Sequence, residues 1–162
     1  MAEFDPESFR TDTNALKLYN QQVLEEFRAN SGKVGGIFEN FDIVLLTTTG
    51  IKSGMPRLTP LVCLNVDRRM VVLGSRGGAP KDPAWVGNAR ANPHATLEIG
   101  TQCCEICLCE LRGTERDAVF AEVVAVAPNF GTYQSLTDRV IPIFEMRRTD
   151  AESPLRQRNS SP

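Results

Sequence analysis

The sequence feature that most restricts the fold of this chain is a series of six short runs of β-branched and apolar residues. Most of these runs are joined by turns rather than by long helices. The run FDIVLLTTT at residues 41–49 is typical of a buried strand. Charged residues 67–69 separate two further runs, which predicts a hairpin. Because parallel strands need long crossover connections, the pattern favours a small antiparallel barrel over a doubly wound sheet. The remaining strands are predicted at residues 58–66, 70–75, 95–99, 103–111 and 140–146, with Pro142 at an edge or bulge.

About three peripheral helices accompany these strands, so the predicted class is α+β, mainly β. Apolar residues recur at helical spacing over residues 13–30, behind Asp12 or Thr13 as N-cap. Asp82 and Pro83 predict the start of a short helix that ends near residue 92. A capping-box-like start predicts a helix from residue 114 to Pro128, followed by a turn or short helix at 129–137.

The ends of the chain differ in composition from the rest. Residues 1–12 are polar and residues 149–162 have the composition of a disordered tail, so both are predicted to be flexible. Residues 13–148 are then a single domain. The polar face of the first helix is not basic, which favours docking on the chain's own core over contact with a membrane.

Composition excludes several classes of function. The 18 basic and 20 acidic residues give a net charge of −2, which argues against non-specific nucleic-acid binding. His94 is the only histidine, so a Cys₂His₂ finger and a two-histidine zinc enzyme are excluded. No apolar leader and no run of about 18 apolar residues occurs, so we expect a cytoplasmic protein with reduced thiols.

The net charge conceals a cationic segment, residues 50–81. It holds six basic residues and one acid, a local charge of +5, so the rest of the chain carries −7. Eight of the twelve glycines lie between residues 32 and 78. Exposed backbone N–H groups beside cations suit a phosphate or a polycarboxylate. The alternative is a solvated basic face with ordinary turns.

Four of the five cysteines lie in the run CCEICLCE at residues 103–110. Strand alternation puts Cys103, Cys107 and Cys109 on one face with Glu105, and Cys104 on the other. Same-face residues about 6.5–7 Å apart do not converge on one zinc ion without a second element. These cysteines and Cys63 are therefore interpreted as small apolar residues of the sheet.

Familiar nucleotide motifs are missing. Residues 50–54, GIKSG, lack the spacing of a phosphate-binding P-loop, and no GxGxxG sequence occurs. His94 follows Pro93 without a nearby nucleophile and is interpreted as a turn residue. Trp85, the single tryptophan, is either a core residue or a side chain that flanks a planar ligand.

Three longer motifs are similar to those of a known family: LLTTTGIKSGMPRLTP at residues 45–60, GSRGGAPKDPAWVGNARAN at 74–92 and YQSLTDRVIP at 133–142. In this order they resemble the deazaflavin (coenzyme F420)-dependent nitroreductase family of mycobacteria and related actinobacteria, within the split β-barrel flavin and deazaflavin oxidoreductases. The similarity covers about residues 23 to 145. It implies a six-stranded antiparallel split β-barrel of the FMN-binding type with peripheral helices.

The resemblance also implies a site. The first motif would hold the phosphate and acidic tail of coenzyme F420, with Pro60 at the deazaflavin ring, and the second would wrap ring and phosphate. Ser75 and Tyr133 stand where the family places hydroxyl donors for the substrate, and are the implied catalytic residues. The implied cofactor-binding residues are Thr49, Gly50, Lys52, Ser53, Gly54, Arg57, Pro60, Ser75, Arg76, Gly77, Gly78, Ala79, Pro83, Trp85 and Asn88, and no metal is implied.

The implied activity is hydride transfer from reduced coenzyme F420 to a quinone, an activated alkene or a nitro compound. Ala127 and Phe130 replace family tyrosines and Leu136 a tryptophan-like position, which favours quinones and activated alkenes over bulky nitroimidazoles. The alternatives are an FMN- or heme-binding barrel and a non-catalytic deazaflavin carrier. A homodimer and peripheral membrane contact through the N-terminal helix are left open.

Overall fold

The computed structural model describes residues 5–36 and 40–149. Within these ranges six strands close a barrel in the order β1-β2-β3-β6-β5-β4, and every neighbouring pair is antiparallel. This confirms the predicted antiparallel barrel. The strands are β1 Asp42–Thr49, β2 Pro56–Val66, β3 Arg69–Leu73, β4 His94–Ile99, β5 Gln102–Leu111 and β6 Ile143–Arg148.

Helices surround this barrel. The predicted N-terminal helix is confirmed as α2, with the Asp12 carboxylate accepting from the backbone N–H groups of Asn14 and Ala15. None of the described helices has the length and apolar character that a membrane span requires. The helices are α1 Pro6–Thr11, α2 Thr13–Ala29, α3 Ala84–Ala91, α4 Gly113–Val126 and α5 Asn129–Ser135, and Arg76–Gly78 forms a 3₁₀ turn.

The barrel interior is the central core. Alternate residues of β1, such as Val44 and Leu46, point into it and are fully buried. Helix α3 packs Trp85, Val86 and Ala89 into the same cluster. The neighbouring β1 residues Ile43 and Leu45 face outward under α2. Strand β1 is therefore covered on both faces, which explains its continuous apolar run.

Two further apolar layers cover the outside of the barrel. Tyr19, Val23 and Phe27 of α2 pack on β1, as predicted for a helix that docks on its own core. Helices α4 and α5 cover β2, β3 and β6 with a cluster that includes Val119, Val123, Phe130 and Tyr133. The cavities described below begin in the region between α2 and α5.

The prediction of loosely ordered residues before position 13 is wrong for residues 6–11. These residues form α1, which starts with Pro6 behind Asp5, whose carboxylate accepts from the Ser8 N–H. The Phe9 ring is buried and lies 4.9 Å from the Tyr19 ring, centroid to centroid. The tail predicted from residue 149 lies, except for Thr149, outside the described residues.

The last strand begins later than predicted, at Ile143 rather than at residue 140. The backbone of Ile141 is bonded to side chains instead of to a neighbouring strand. Its carbonyl accepts from Nε and Nη2 of the Arg116 guanidinium, and its N–H donates to Oε1 of Gln134. Pro142 precedes the strand, so it sits neither at an edge nor at a bulge.

Two predicted helix caps are wrong. Pro83 is the N-cap of α3, and the Asp82 carboxylate accepts from Arg90 and Arg139 instead. Helix α4 begins behind Arg112 without a side-chain cap, so residues 114–117 form no capping box. In both cases the helix itself is present, because its packing on the barrel outweighs one capping bond.

Candidate functional site

Two adjoining cavities lie between α2, the start of β2 and residues 74–82, which we call the glycine loop. The apolar cavity has a volume of about 430 Å³ and the cationic cavity about 950 Å³. Their common lining includes Pro60, Arg76, Pro83 and Trp85. Because these walls are shared, one elongated molecule can occupy both cavities.

The apolar cavity is lined by aromatic side chains from three helices. Phe9 of α1 and Tyr19 of α2 line it from one side, and Phe130 and Tyr133 of α5 line it from another. The Tyr133 hydroxyl accepts a hydrogen bond from Nδ2 of Asn129 at 3.2 Å, and its ring meets Phe130 edge-on at 5.7 Å. Ser75 also lines this cavity. It thus combines an apolar surface with a few hydroxyl groups, as sites for planar organic molecules do.

Tyr19 is a site residue that the sequence reasoning missed. It is 95% buried, and burial, with smaller contributions from Glu26 and Tyr133, raises the pKa of its hydroxyl to about 12. The hydroxyl therefore stays protonated at neutral pH. Helical spacing marked Tyr19 as an inward residue, but the spacing does not reveal that it faces a cavity.

The cationic cavity is formed around the turn after β1. Lys52 and Arg57 line it and are exposed, and Nη2 of Arg57 donates to Oγ of Ser53 at 3.3 Å. Asn88 of α3 fixes the turn, because its Oδ1 accepts from the Ile51 N–H at 3.2 Å and its Nδ2 donates to Thr48. Two cations beside an anchored turn suit an anionic group.

The glycine loop borders both cavities in a strained conformation. Arg76, Gly77 and Gly78 have φ values of +43°, +63° and +87°. A Cβ on Gly78 would lie 2.6 Å from the Tyr133 carbonyl oxygen, so only glycine fits there. The loop is also tied to α1, since Nη1 of Arg10 donates to the Gly77 carbonyl at 3.0 Å.

The structure brings most of the implied site residues together. Trp85 lines both cavities and also packs in the core on Phe144, with ring centroids 5.4 Å apart. Four of the implied residues line neither cavity: Thr49, Gly54, Gly78 and Ala79. The residues that line one or both are Gly50, Lys52, Ser53, Arg57, Pro60, Ser75, Arg76, Gly77, Pro83, Trp85, Asn88 and Tyr133.

The cysteine run has the predicted arrangement and lies outside both cavities. Ile106 and Leu108 point into the barrel core with Cys104, whereas Cys103 is exposed and Cys107 and Cys109 are half-buried on the outer face. Over residues 5–36 and 40–149, no three His, Cys, Asp or Glu side chains are grouped to hold a metal ion. Exposed His94 also lies outside the two cavities.

Comparison with known proteins agrees with the family resemblance of the three motifs. The family model described as F420H(2)-dependent quinone reductase matches residues 19–147. An F420H(2)-dependent quinone reductase of Mycobacterium tuberculosis is 29% identical over 126 residues, which are 75% of this chain and 85% of that protein.

Two solved structures extend the comparison. A structure of an F420-H2 dependent reductase, FDR-A, is 38% identical with a TM-score of 0.57, over 64% of this chain and 92% of that one. A structure described as a domain-swapped dimer is 32% identical with a TM-score of 0.60, over 84% of this chain and 99% of that one.

Proposed function

The chain belongs to the F420H(2)-dependent quinone reductase family, and from that premise we propose that its two cavities bind reduced coenzyme F420 and a quinone against each other. The protein is an oxidoreductase that uses coenzyme F420. The observation that carries the assignment of the site is the wall that the cavities share at Pro60, Arg76 and Trp85. A cofactor with an anionic tail and a planar ring can extend from one cavity into the other.

The donor set of the cationic cavity fits this cofactor. Lys52 and Arg57 would hold its phosphate and acidic tail, because both cations line the cavity and neither forms an ion pair among the described residues. Gly50 keeps the turn tight, since a Cβ there would lie 2.6 Å from Oγ of Ser53. Pro60 and Trp85 would flank the ring.

When bound, the reduced deazaflavin supplies a hydride. The chain's own residues orient the acceptor and supply hydrogen bonds to it. Negative charge that develops on a quinone oxygen is stabilised by a positioned hydroxyl donor, and Ser75 and Tyr133 are the proposed donors. Phe9 and Phe130 exclude water around them.

The lining of the apolar cavity favours a small planar acceptor. Phe130 presents a ring without a hydroxyl, and Ala127 is buried in the α4–α5 cluster outside the cavity. We therefore propose quinones and activated alkenes as acceptors rather than bulky nitroimidazoles. The limited volume of about 430 Å³ supports the same choice.

The test is oxidation of reduced coenzyme F420 by menadione, followed by absorbance. Turnover that depends on the protein would support the proposal. Tight cofactor binding without reduction of any acceptor in a panel would favour the carrier alternative. A purified protein with a flavin or Soret absorption band, and no response to coenzyme F420, would favour the FMN or heme alternative.

Assembly and location are further proposals. The domain-swapped dimer among the relatives supports a homodimer, which light scattering on the purified protein would detect. Peripheral membrane contact through α2 would depend on exposed Leu18, because Tyr19, Val23 and Phe27 pack on the barrel. Co-sedimentation with liposomes would test this contact, and fractionation of cells would test the expected cytoplasmic location.

A further inference from the structure

We infer that Arg139 is a positioning residue that holds the glycine loop in its binding conformation from behind. The inference rests on the proposed function, because it assumes that the loop contacts the cofactor. Arg139 lies between α5 and β6, and its guanidinium lines neither cavity. Arg139 belongs to the motif YQSLTDRVIP at residues 133–142 but is not among the site residues that the resemblance implies.

The guanidinium of Arg139 bonds to most of the length of the loop. Its Nη1 donates to the Gly74 carbonyl at 3.0 Å, its Nη2 to the Ser75 carbonyl at 2.8 Å and its Nε to the Ala79 carbonyl at 2.7 Å. The same Nη1 donates to Oδ1 of Asp82 at 2.7 Å. One planar, nearly buried cation thus fixes four points of the loop.

These bonds also orient backbone donors. In a trans peptide the N–H points opposite to the carbonyl oxygen, and no cis peptide occurs among the described residues. Because the carbonyls of Gly74 and Ser75 point at Arg139, the N–H groups of Ser75 and Arg76 point away from it. Ser75 and Arg76 line the apolar cavity, so Arg139 stands on the opposite side of the loop.

The left-handed backbone of the loop, which includes a residue with a side chain, favours such a restraint. Three successive residues have positive φ, and one of them, Arg76, carries a side chain. Such conformations persist when surrounding contacts determine them. Gly74 and Ala79, whose carbonyls accept from Arg139, lie on either side of the three residues with positive φ.

Arg139 is itself held in place from the barrel. Oδ2 of Asp82 accepts from Nη1 of Arg90, and Arg90 forms a bidentate pair with Glu110 on β5, with N–O distances of 2.9 and 2.8 Å. On α5, Oε1 of Gln134 accepts from the Ile141 N–H at 3.0 Å, and its Nε2 donates to the Arg139 carbonyl at 2.7 Å. The loop is therefore linked to β5 and α5 through paired charges and hydrogen bonds.

The experiment compares Arg139→Met with Arg69→Met as a matched control. Arg69 is likewise a largely buried arginine with carboxylate partners, Glu115 and Glu145, but it lies away from both cavities. Two quantities are measured: hydrogen exchange of the amides of residues 74–82 in the free protein, and the Kd for coenzyme F420 by fluorescence. Thermal unfolding reports the general loss of stability in each variant.

We expect Arg139→Met to accelerate exchange in the loop and to raise the Kd by about tenfold or more. Arg69→Met should lower the unfolding temperature but leave loop exchange and the Kd within about twofold of wild type. Arg139→Lys should not restore the Kd, because an ammonium does not reproduce the planar set of donors. Should Arg139→Met fail to fold, Asp82→Asn should accelerate exchange in the loop to a smaller extent, because it removes one partner of the Arg139 guanidinium.

Wild-type loop exchange in Arg139→Met would overturn the inference, as would an equal rise in Kd for both arginine variants. If the wild-type protein does not bind coenzyme F420, the proposed function fails, and loop exchange alone decides whether Arg139 restrains the loop. Normal binding by wild type with an unchanged Kd in Arg139→Met contradicts only the role of Arg139.

Discussion

The guanidinium of Arg76 donates from Nε to the backbone carbonyl of Phe9 at a distance of 2.9 Å. Its Nη2 also donates to Oγ1 of Thr13, so a cation expected to contact the cofactor is bonded to the N-terminal helices. Arg10 makes the reciprocal bond to the Gly77 carbonyl. Helix α1 and the glycine loop are thus joined by two arginines, one from each side.

These two arginines give a matched pair of variants. Arg76→Met and Arg10→Met should both increase hydrogen exchange in residues 6–11, because each removes bonds between α1 and the loop. Arg76→Met should weaken binding of coenzyme F420 by about tenfold more than Arg10→Met does, since only Arg76 would also contact the cofactor and a charged contact contributes about 1.5–3 kcal/mol. Equal affinities in the two variants would show that Arg76 serves α1 alone.

Tyr133→Phe should reduce kcat for quinone reduction more than it changes the KM or the cofactor Kd. The lost hydroxyl lines the apolar cavity, where it would stabilise charge that forms only as the acceptor is reduced. Removal of one such donor costs about 2.7–4 kcal/mol, or 10²–10³ in kcat, in the best-studied enzymes. Steady-state kinetics with menadione measures this split.

Ser135→Ala is the control for this variant. Ser135 lies on the same helix and loses a hydroxyl too, but it is exposed and its Oγ donates to the Thr132 carbonyl outside the cavity. Its kinetics should match wild type. An unchanged kcat in Tyr133→Phe would remove Tyr133 from the acceptor site.

The raised pKa of Tyr19 predicts a dependence of stability on alkaline pH. The folded protein favours the protonated phenol, whose pKa is about 12 against 10 in the unfolded chain. The unfolded state therefore loses its proton first, so stability is fully retained below pH 10 and falls as the pH rises towards 12. Chemical denaturation across this range should show a steeper loss in wild type than in Tyr19→Phe. Identical slopes would mean that the Tyr19 phenol is not shifted.

Two glycines with similar backbones test how tightly the loop packs. Gly113 and Gly78 both have positive φ, at +62° and +87°, but a Cβ on Gly113 meets nothing within 4 Å. Gly113→Ala should therefore cost only the backbone strain, about 1–2 kcal/mol. Gly78→Ala should cost about 1–3 kcal/mol more, because its Cβ would overlap the Tyr133 carbonyl.

Denaturant unfolding measures both glycine variants. The Gly78 variant should also lose acceptor turnover, since the shift needed to accommodate Cβ would move Tyr133. Equal stabilities of the two variants would contradict the close contact between the glycine loop and α5.

Most of the fold could be predicted from the sequence because the signals are local. Strand β1 is a continuous apolar run, the β2–β3 hairpin follows from three charged residues, and α2 follows from helical spacing. The start of β6 was placed too early because Ile141 bonds to Arg116 and Gln134, which are 25 and 7 residues away. Such side-chain bonds leave no periodic signal.

The same reason explains which parts of the site escaped prediction. The resemblance of the motifs indicates two parts of the site: the turn after β1, which lines the cationic cavity, and the glycine loop. Arg139 and the Ser75 carbonyl are 64 residues apart in sequence, and Arg76 and Phe9 are 67 apart. Tyr19 faces the cavity only because α2 lies across β1. These contacts depend on tertiary packing, which residue types and their local spacing do not reveal.

The most direct test of the central claim is a fluorescence titration of coenzyme F420 with the wild-type protein and with Lys52→Ala/Arg57→Ala. Lys33→Ala/Arg68→Ala is the control, because it removes the same charge at exposed positions outside both cavities. Saturable wild-type binding is expected, with a Kd raised by about a hundredfold or more in the first variant, at about 1.5–3 kcal/mol per contact, and little change in the control. Binding of equal strength by all three proteins, or no binding by wild type, would contradict the claim.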